Sequence, residues 1–264
     1  MKKRARILFV CVIVITILGN NLMNASAASK KFRTTKWKEA SEIDTKQEID
    51  VVKYSYTKGM KHKKKKRASF FLRYQIIQLT EEYAGIYPEL NQWCIKHGED
   101  HKKSSKKLFK RGTKWLKKDY KYMVVGYGTE HGIEIERADN SLFSILEYED
   151  YYWGGAHPNF YCTSHNVDSK TGVELTVYDV LEDREAFVKL LKKKMKKKSK
   201  WYYGYDSMIK DVKKGKYDLT WIMNDKGIEV IFSPYEIASY GVGEIIVKIS
   251  YSEAMGIFKE QYIL

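Results

Sequence analysis

The sequence predicts an α+β fold with mainly antiparallel sheets, a few packed helices and two small, intimately packed subdomains. The 264 residues include 21 Tyr, and an aromatic fraction of 14% favours extensive sheet and excludes wholesale disorder. Segments that resemble strands are grouped and joined by short polar turns, whereas strict alternation with helices would predict a parallel sheet. The low counts of 3 Pro and 17 Gly exclude a collagen-like chain.

Residues 1–27 have the pattern of a secretory signal peptide. A basic start precedes the apolar run Ile7 to Leu18, and Ala25-Ser26-Ala27 fits the small-x-small rule of a cleavage site. An uncleaved anchor is the alternative, but a helix of this length spans about 18 Å, well short of a hydrocarbon core of about 30 Å. We therefore expect a secreted, extracytoplasmic protein that is cleaved after Ala27 and has no transmembrane span afterwards.

The mature chain is divided into three parts. Residues 28–48 mix charges without a clear period and are expected to be a flexible lead-in. Residues 49–125 are expected to form a basic N-terminal α+β subdomain, and residues 126–264 a C-terminal α+β domain.

The order of elements follows from hydrophobic periodicity and turn residues. Asp183 is expected to cap a helix whose apolar face consists of Phe187, Leu190, Leu191 and Met195. The elements predicted before it are strands over 49–57 and 69–79, helices from Pro88 to about Gly98 and over 103–118, and a hairpin of 120–127 with 133–137.

Charge is unevenly distributed along the chain. Residues 28–125 carry 26 basic and 11 acidic side chains, a net charge of +15, whereas residues 126–264 carry 18 basic and 22 acidic ones, a net charge of −4. Such asymmetry indicates two electrostatic partners, or a surface that orients the molecule.

Three basic clusters predict a polyanion patch, with solvated helix faces and a loop tip as the alternative. They span Lys61 to Arg67, Lys102 to Lys118 and Lys192 to Lys200. Outside a bacterial cell the abundant polyanions are wall polymers and lipid headgroups. No nucleic-acid partner is expected, because no groove-reading or aromatic-interleaved motif is present. The residues chosen for the patch are Lys63, Lys64, Lys65, Lys66, Lys106 and Lys110.

Two cysteines, Cys94 and Cys162, remain after signal cleavage. An even count in an exported chain favours a disulfide, and two buried thiols are the alternative. A metal site of His157, Cys162 and His165 is a third, weaker option, because its spacing matches no standard zinc pattern. We expect no metal and no cofactor.

His157 has two interpretations: it is a catalytic residue, or it belongs to a turn in which its imidazole bonds to nearby backbone. His157 lies in Gly154-Gly155-Ala156-His157-Pro158, where it is a candidate general base for the carboxylates of residues 147–150. Glu147 and Glu149 share one face of a predicted strand, as a glycosidase pair would require. No nucleophile elbow, phosphate-binding loop or dinucleotide fingerprint is present, and no catalytic residue is assigned.

The strings YYWGGAHP and, about ten residues later, DSKTG resemble the extracellular domain shared by RsiV-type anti-sigma factors and PdaC-type peptidoglycan deacetylases. TVYDVL, GIEVIFSPYEIAS and GEIIVKISY resemble its C-terminal part, and residues 49–125 resemble its usual N-terminal companion more weakly. The resemblance covers roughly residues 50–255, and GGAHP and PYEIA are its most specific strings.

The resemblance implies an extracytoplasmic module that acts by binding. In the anti-sigma relatives the module senses lysozyme, and in the deacetylases it accompanies a separate catalytic domain. Only six residues precede Ile7 and the sequence ends at Leu264, so neither sigma control nor deacetylation is expected. Gly154, Gly155, His157, Pro158, Pro234 and Tyr235 are the candidate binding residues.

The sequence therefore predicts a secreted, non-enzymatic binding protein of the bacterial envelope. Its expected partner is a lysozyme-type protein, or peptidoglycan or an anionic wall polymer. A cationic lysozyme would meet the acidic second half, because like charges at an interface cost several kcal/mol. The alternatives are a glycan-acting enzyme that uses His157 and the carboxylates of 147–150, and a polybasic adhesin that binds wall polymer or membrane.

Overall fold

The computed structural model describes residues 31–196 and 201–264. Over these residues the chain forms a seven-stranded mixed sheet, a three-stranded antiparallel sheet and several helices, which confirms the predicted α+β fold. The predicted signal peptide and positions 197–200 of the third basic cluster lie outside the described residues. Within the described ranges, no helix combines the length and apolarity needed to cross a bilayer.

The large sheet has the strand order β1-β3-β4-β5-β6-β7, and β2 also pairs with β3. Among the described strands only β4 and β5 pair in parallel, and the long helical connection between them allows this pairing. The strands are β1 Phe32–Thr34, β2 Lys38–Asp44, β3 Val51–His62, β4 Ser69–Leu79, β5 Tyr127–Ala138, β6 Leu142–Tyr152 and β7 Asn159–Asp168.

Within residues 28–48, where a flexible lead-in was predicted, Phe32–Thr34 and Lys38–Asp44 form paired strands. Both β1 and β2 pair antiparallel with β3. The side chains of β2 are exposed up to Asp44, so backbone pairing rather than burial holds this strand. An exposed strand carries no apolar alternation, and periodicity therefore could not detect it.

One long helix, α2 Pro88–Asp119, follows the short helix α1 Glu81–Ile86 and replaces the two predicted helices. Pro88 occupies its first turn as expected. The predicted stop at Gly98 is wrong, because this glycine is buried inside the helix against the side chain of Ile76. The helix lies across one face of the large sheet and buries Leu90, Cys94, Phe109 and Leu116.

The hairpin predicted from residues 120–127 and 133–137 is not formed. Residues 127–138 are instead one strand, β5, whose hairpin partner is β6. Asp139 closes the turn between them, since its Oδ1 accepts hydrogen bonds from the backbone N–H groups of Ser141 and Leu142. Strands from both predicted subdomains thus share one sheet.

The second layer packs on the opposite face of the large sheet. Phe143 and Ile145 of β6 face α2, whereas Leu146 packs on Ile222 and Ile231 of the small sheet. This layer consists of α3 Val177–Val180, α4 Arg184–Met195, α5 Tyr205–Lys213, β8 Thr220–Asn224, β9 Gly227–Phe232, β10 Ile245–Ser250 and α6 Tyr251–Ala254.

The cap and the apolar face predicted for α4 are confirmed. The Asp183 carboxylate accepts a 2.9 Å hydrogen bond from the backbone N–H of Ala186. Phe187, Leu191 and Met195 are buried in the core between α4 and the small sheet, and Leu190 packs against this core half-buried.

Candidate functional site

Two of the predicted binding segments meet at the surface. His157 stacks on Tyr240 with ring centroids 3.8 Å apart, and the Tyr235 hydroxyl lies 3.4 Å from His157 Nε2. We call His157, Tyr203, Tyr235 and Tyr240 the aromatic patch. It joins the two layers, because His157 follows β6 whereas Tyr235 and Tyr240 follow β9.

Backbone geometry on the β6–β7 side presents His157. Gly154 and Gly155 have φ angles of 97° and 109°, which side chains with a Cβ rarely adopt. They turn the chain at this point. The carbonyl of Pro158 then accepts a 2.9 Å hydrogen bond from the Tyr240 hydroxyl and lies 2.8 Å from His157 Nδ1. The two glycines therefore have a conformational role.

Tyr235 is the one described non-glycine residue with positive φ, at 71°. Its backbone is held by the Tyr203 hydroxyl, which donates a 2.6 Å hydrogen bond to the Tyr235 carbonyl. The side chain of Tyr235 is 51% exposed, while Pro234 before it is buried. Strain of this kind persists where the surroundings fix the residue, and it is concentrated at functional sites.

The structure does not bring His157 to the carboxylates of residues 147–150. Its described contacts are Pro158, Tyr235 and Tyr240. Glu147 instead contacts four other histidines on the face of the sheet that α2 covers. The acid–base arrangement predicted for a glycan-acting enzyme is therefore not assembled from these residues.

Four of the six histidines surround Glu147. We call His97, His101, His131 and His165, together with Glu147, the histidine cluster. The distances from a Glu147 oxygen to the four Nε2 atoms are 3.4, 3.3, 3.2 and 3.6 Å, respectively. The side chains of His131 and Glu147 are 9% and 5% exposed.

Strand pairing and helix periodicity bring the five side chains together. His97 and His101 are four residues apart on α2 and so project from one face of the helix. In the sheet, Ile133 of β5 and Thr163 of β7 lie opposite Glu147, which makes His131 and His165 its diagonal neighbours on the same face.

The cluster perturbs the protonation of its members. Burial lowers the pKa of His97 to about 4. Burial alone would raise the pKa of Glu147, but the imidazoles of His101, His131 and His165 bring it well below its usual value. Against burial, the nearby carboxylates of Glu147 and Glu174 raise the pKa of His165 to about 9.

The sequence did not predict this cluster. The predicted helix break at Gly98 placed His97 in one helix and left His101 between the two predicted helices, which hid their spacing. His131 fell outside the predicted strands, and Glu147 was considered only with Glu149 and as a partner of His157. The signals available in the sequence were the four-residue spacing of the two helical histidines and the alternation of β6.

Cys94 and Cys162 are buried thiols, and no disulfide joins them. Cys94 packs on the α2 side of the large sheet, whereas Cys162 packs toward the small sheet, so the sheet lies between them. The Cys162 thiol donates to the carboxylate of Glu244, not to a cluster with His157 and His165. The weaker metal option is therefore not assembled.

The first two basic clusters approach each other at one end of the molecule. Lys63, Lys64 and Lys66 are exposed in the β3–β4 turn. The ammonium of Lys65 donates to the backbone carbonyl of Lys121, just beyond α2. Lys106 and Lys110 are exposed further back along α2.

A protein-family model matches the second layer of this chain, and two solved structures resemble its overall fold. Residues 178–252 match a family model described as "Protein of unknown function (DUF3298)". The search of curated proteins returned no significant match.

Two crystal structures share the fold. A DUF3298 family protein from Pseudomonas aeruginosa PAO1 aligns with a TM-score of 0.51 and 15% identity, over 88% of this chain and 96% of that one. A member of the same family from Bacteroides fragilis NCTC 9343 has the same score and identity, over 87% and 94%. At this identity the similarity establishes the fold alone.

Proposed function

We propose that this chain is a secreted, non-enzymatic binding protein of the bacterial envelope that binds a cationic, lysozyme-type protein through the aromatic patch. The observation that carries the proposal is the meeting of His157 with Tyr235 and Tyr240, from segments about 78 residues apart. The same two segments carry the most specific strings of the resemblance to lysozyme-sensing domains. The predicted signal peptide supports an extracytoplasmic location.

The composition around the patch favours a cationic partner. Residues 138–169 and 227–247 contain no Lys or Arg, although the whole chain has 48. The second segment carries the carboxylates of Glu236 and Glu244, close in sequence to Tyr235 and Tyr240. The segments that carry His157, Tyr235 and Tyr240 thus lack the cations that would repel a basic partner.

The patch also has the chemical character of an interface. Tyr203 and Tyr235 are 68% and 51% exposed, and their rings combine apolar area with a hydroxyl group. Tyrosine is enriched among the residues that dominate binding energy. The hydrogen bond from Tyr203 to Tyr235 fixes the backbone in advance, which lowers the ordering cost of binding.

Calorimetric titration of residues 28–264 with animal-type lysozyme tests this proposal. We expect saturable binding at both low and high salt, and a loss of at least about tenfold in affinity for Tyr235→Gly. Glycine removes the ring while accepting the positive φ of the native backbone, so the fold should be retained.

Tyr122→Ala is the matched control, because Tyr122 is 82% exposed in the basic half. This variant should bind like the unmodified chain. No heat of binding at either salt concentration, or equal losses in the two variants, would reject the proposed ligand surface.

An anionic wall polymer is a second candidate ligand, favoured by the contact of Lys65 with the backbone carbonyl of Lys121, three residues beyond the second basic cluster. Replacing Lys63, Lys64, Lys65 and Lys66 with Gln should weaken binding to long-chain polyphosphate and reduce its salt dependence. The control replaces the exposed Lys210, Lys213, Lys214 and Lys216, which removes equal charge elsewhere. Equal losses in both quadruple variants would reject a specific patch.

A further inference from the structure

We propose that the histidine cluster is a binding site for one divalent transition-metal ion of the zinc class. The ligands are drawn from Glu147 and the imidazoles of His97, His101, His131 and His165. This site is separate from the aromatic patch, and its residues lie outside the 178–252 family match.

The spacing of the ligand atoms fits a coordination sphere. Zinc–nitrogen and zinc–oxygen bonds of about 2.1 Å place neighbouring ligand atoms of a tetrahedron about 3.4 Å apart. The Nε2-to-carboxylate distances in the cluster run from 3.2 to 3.6 Å. A charged imidazolium–carboxylate hydrogen bond would be shorter, about 2.7–2.9 Å. The Nε2-to-carboxylate separations therefore match those of ligands that share an ion, and the ligand atoms of His97, His101 and Glu147 all lie within 4.8 Å of one another.

Several buried polar atoms lack a hydrogen-bond partner among the described residues. They are His97 Nδ1, both ring nitrogens of His131 and Oε1 of Glu147. An unsatisfied buried polar group costs roughly 1–3 kcal/mol, and a charged one more. An ion between these side chains would bind the lone pairs of Glu147 and His131. That binding would offset the cost of burying these groups together.

Glu174 supplies a second shell. Its Oε1 contacts Nδ1 of His165, and its carboxylate also accepts a hydrogen bond from Trp93. A carboxylate on one ring nitrogen orients the imidazole, as the outer-shell carboxylates of metal-bound histidines do. The other nitrogen of His165, Nε2, is the atom directed at Glu147.

An opening connects the cluster with solvent. A pocket of about 370 Å³ is lined by His101 and His131 together with Thr129, Arg111 and Glu149. The pocket is therefore large enough to admit a small hydrated ion beside His101 and His131.

The donor set selects the class of ion. Imidazole nitrogens suit Zn²⁺, Co²⁺, Ni²⁺ and Cu²⁺, whereas Mg²⁺ and Ca²⁺ prefer oxygen ligands. With four imidazoles and one carboxylate available, Mg²⁺ and Ca²⁺ should not compete.

Titration of tag-free residues 28–264 with Co²⁺ tests the proposal. We expect visible d–d absorption bands that saturate at one ion per chain and are abolished by Zn²⁺. His101→Ala and His131→Ala should weaken Zn²⁺ affinity, measured against a competing chelator, by at least about 100-fold. Glu174→Gln should weaken it about 10–100-fold.

Matched variants keep the test decisive. His157→Ala removes a histidine outside the cluster and should leave affinity unchanged. Glu174 is half-exposed, so Glu174→Gln preserves the fold even if a buried histidine variant does not. The absence of d–d bands, or zinc affinity that His101→Ala and Glu174→Gln both retain, would overturn the proposal.

Discussion

At the scale of single residues, the strand face on which a carboxylate lies determines its neighbours and the direction of its pKa shift. On β6, Glu147 faces α2 and is surrounded by histidines, whereas Asp150 lies directly opposite Glu130 of β5. Burial and the charge of Glu130 raise the pKa of Asp150 to about 6. Two carboxylates three residues apart thus have pKa values shifted in opposite directions.

The raised pKa of Asp150 predicts a pH-dependent gain in stability for Asp150→Asn. An unfolded Asp ionises near 3.9, so the native chain loses stability as pH rises from about 4 through 6. Asparagine removes this loss, and the variant should exceed the unmodified chain in free energy of unfolding by about 1–2 kcal/mol at pH 7.5. Near pH 4 the two should be nearly equal.

Urea unfolding at both pH values measures this difference. Asp218→Asn is the control, because Asp218 is exposed and should show no pH-dependent gain. A free energy of unfolding that Asp150→Asn leaves unchanged or lowers at pH 7.5 would show that Asp150 is not destabilised in the folded state.

At the scale of elements, the strands and helix caps that local sequence patterns determine were predicted. The features that depend on pairing between strands were missed. The predicted strand 69–79 coincides with β4, and the Asp183 cap of α4 is confirmed. β2 was missed because its exposed side chains carry no alternation. The histidine cluster was missed because His131 and His165 become neighbours of Glu147 only through the register of β5, β6 and β7.

In the long helix α2, packing against the large sheet outweighs the tendency of glycine to end a helix. Gly98 and Gly112 are both buried in it. A Cβ at Gly98 would meet Ile76 at 3.4 Å, an ordinary contact. A Cβ at Gly112 would lie 2.2 Å from the ring of Phe70, which is itself 1% exposed.

These contacts predict opposite effects for the same substitution. Gly98→Ala should leave the free energy of unfolding unchanged or raise it by up to about 1 kcal/mol, through helix propensity. Gly112→Ala should lower it by about 1–3 kcal/mol, since the packed Phe70 ring must move. Thermal or urea unfolding of the two variants provides the comparison, and each serves as the control for the other. Equal effects would contradict the packing of α2 on β4.

At the scale of the whole molecule, the basic clusters, the aromatic patch and the histidine cluster lie in different parts of the two layers. The first basic cluster contacts the segment after α2 at one end of the large sheet, where Lys65 donates to the backbone carbonyl of Lys121. The aromatic patch joins the large sheet to the second layer, and the segments that carry His157, Tyr235 and Tyr240 contain no Lys or Arg. The histidine cluster lies between α2 and the large sheet. Three sites of different chemistry thus occupy separate parts of one fold.

Hydrogen–deuterium exchange of residues 28–264 with and without animal-type lysozyme tests the central claim most directly. The account predicts that lysozyme slows exchange in 154–158 and 234–240, with exchange in the basic turn at 61–67 unchanged. Protection confined to the basic clusters, or no protection in any segment, would contradict the account.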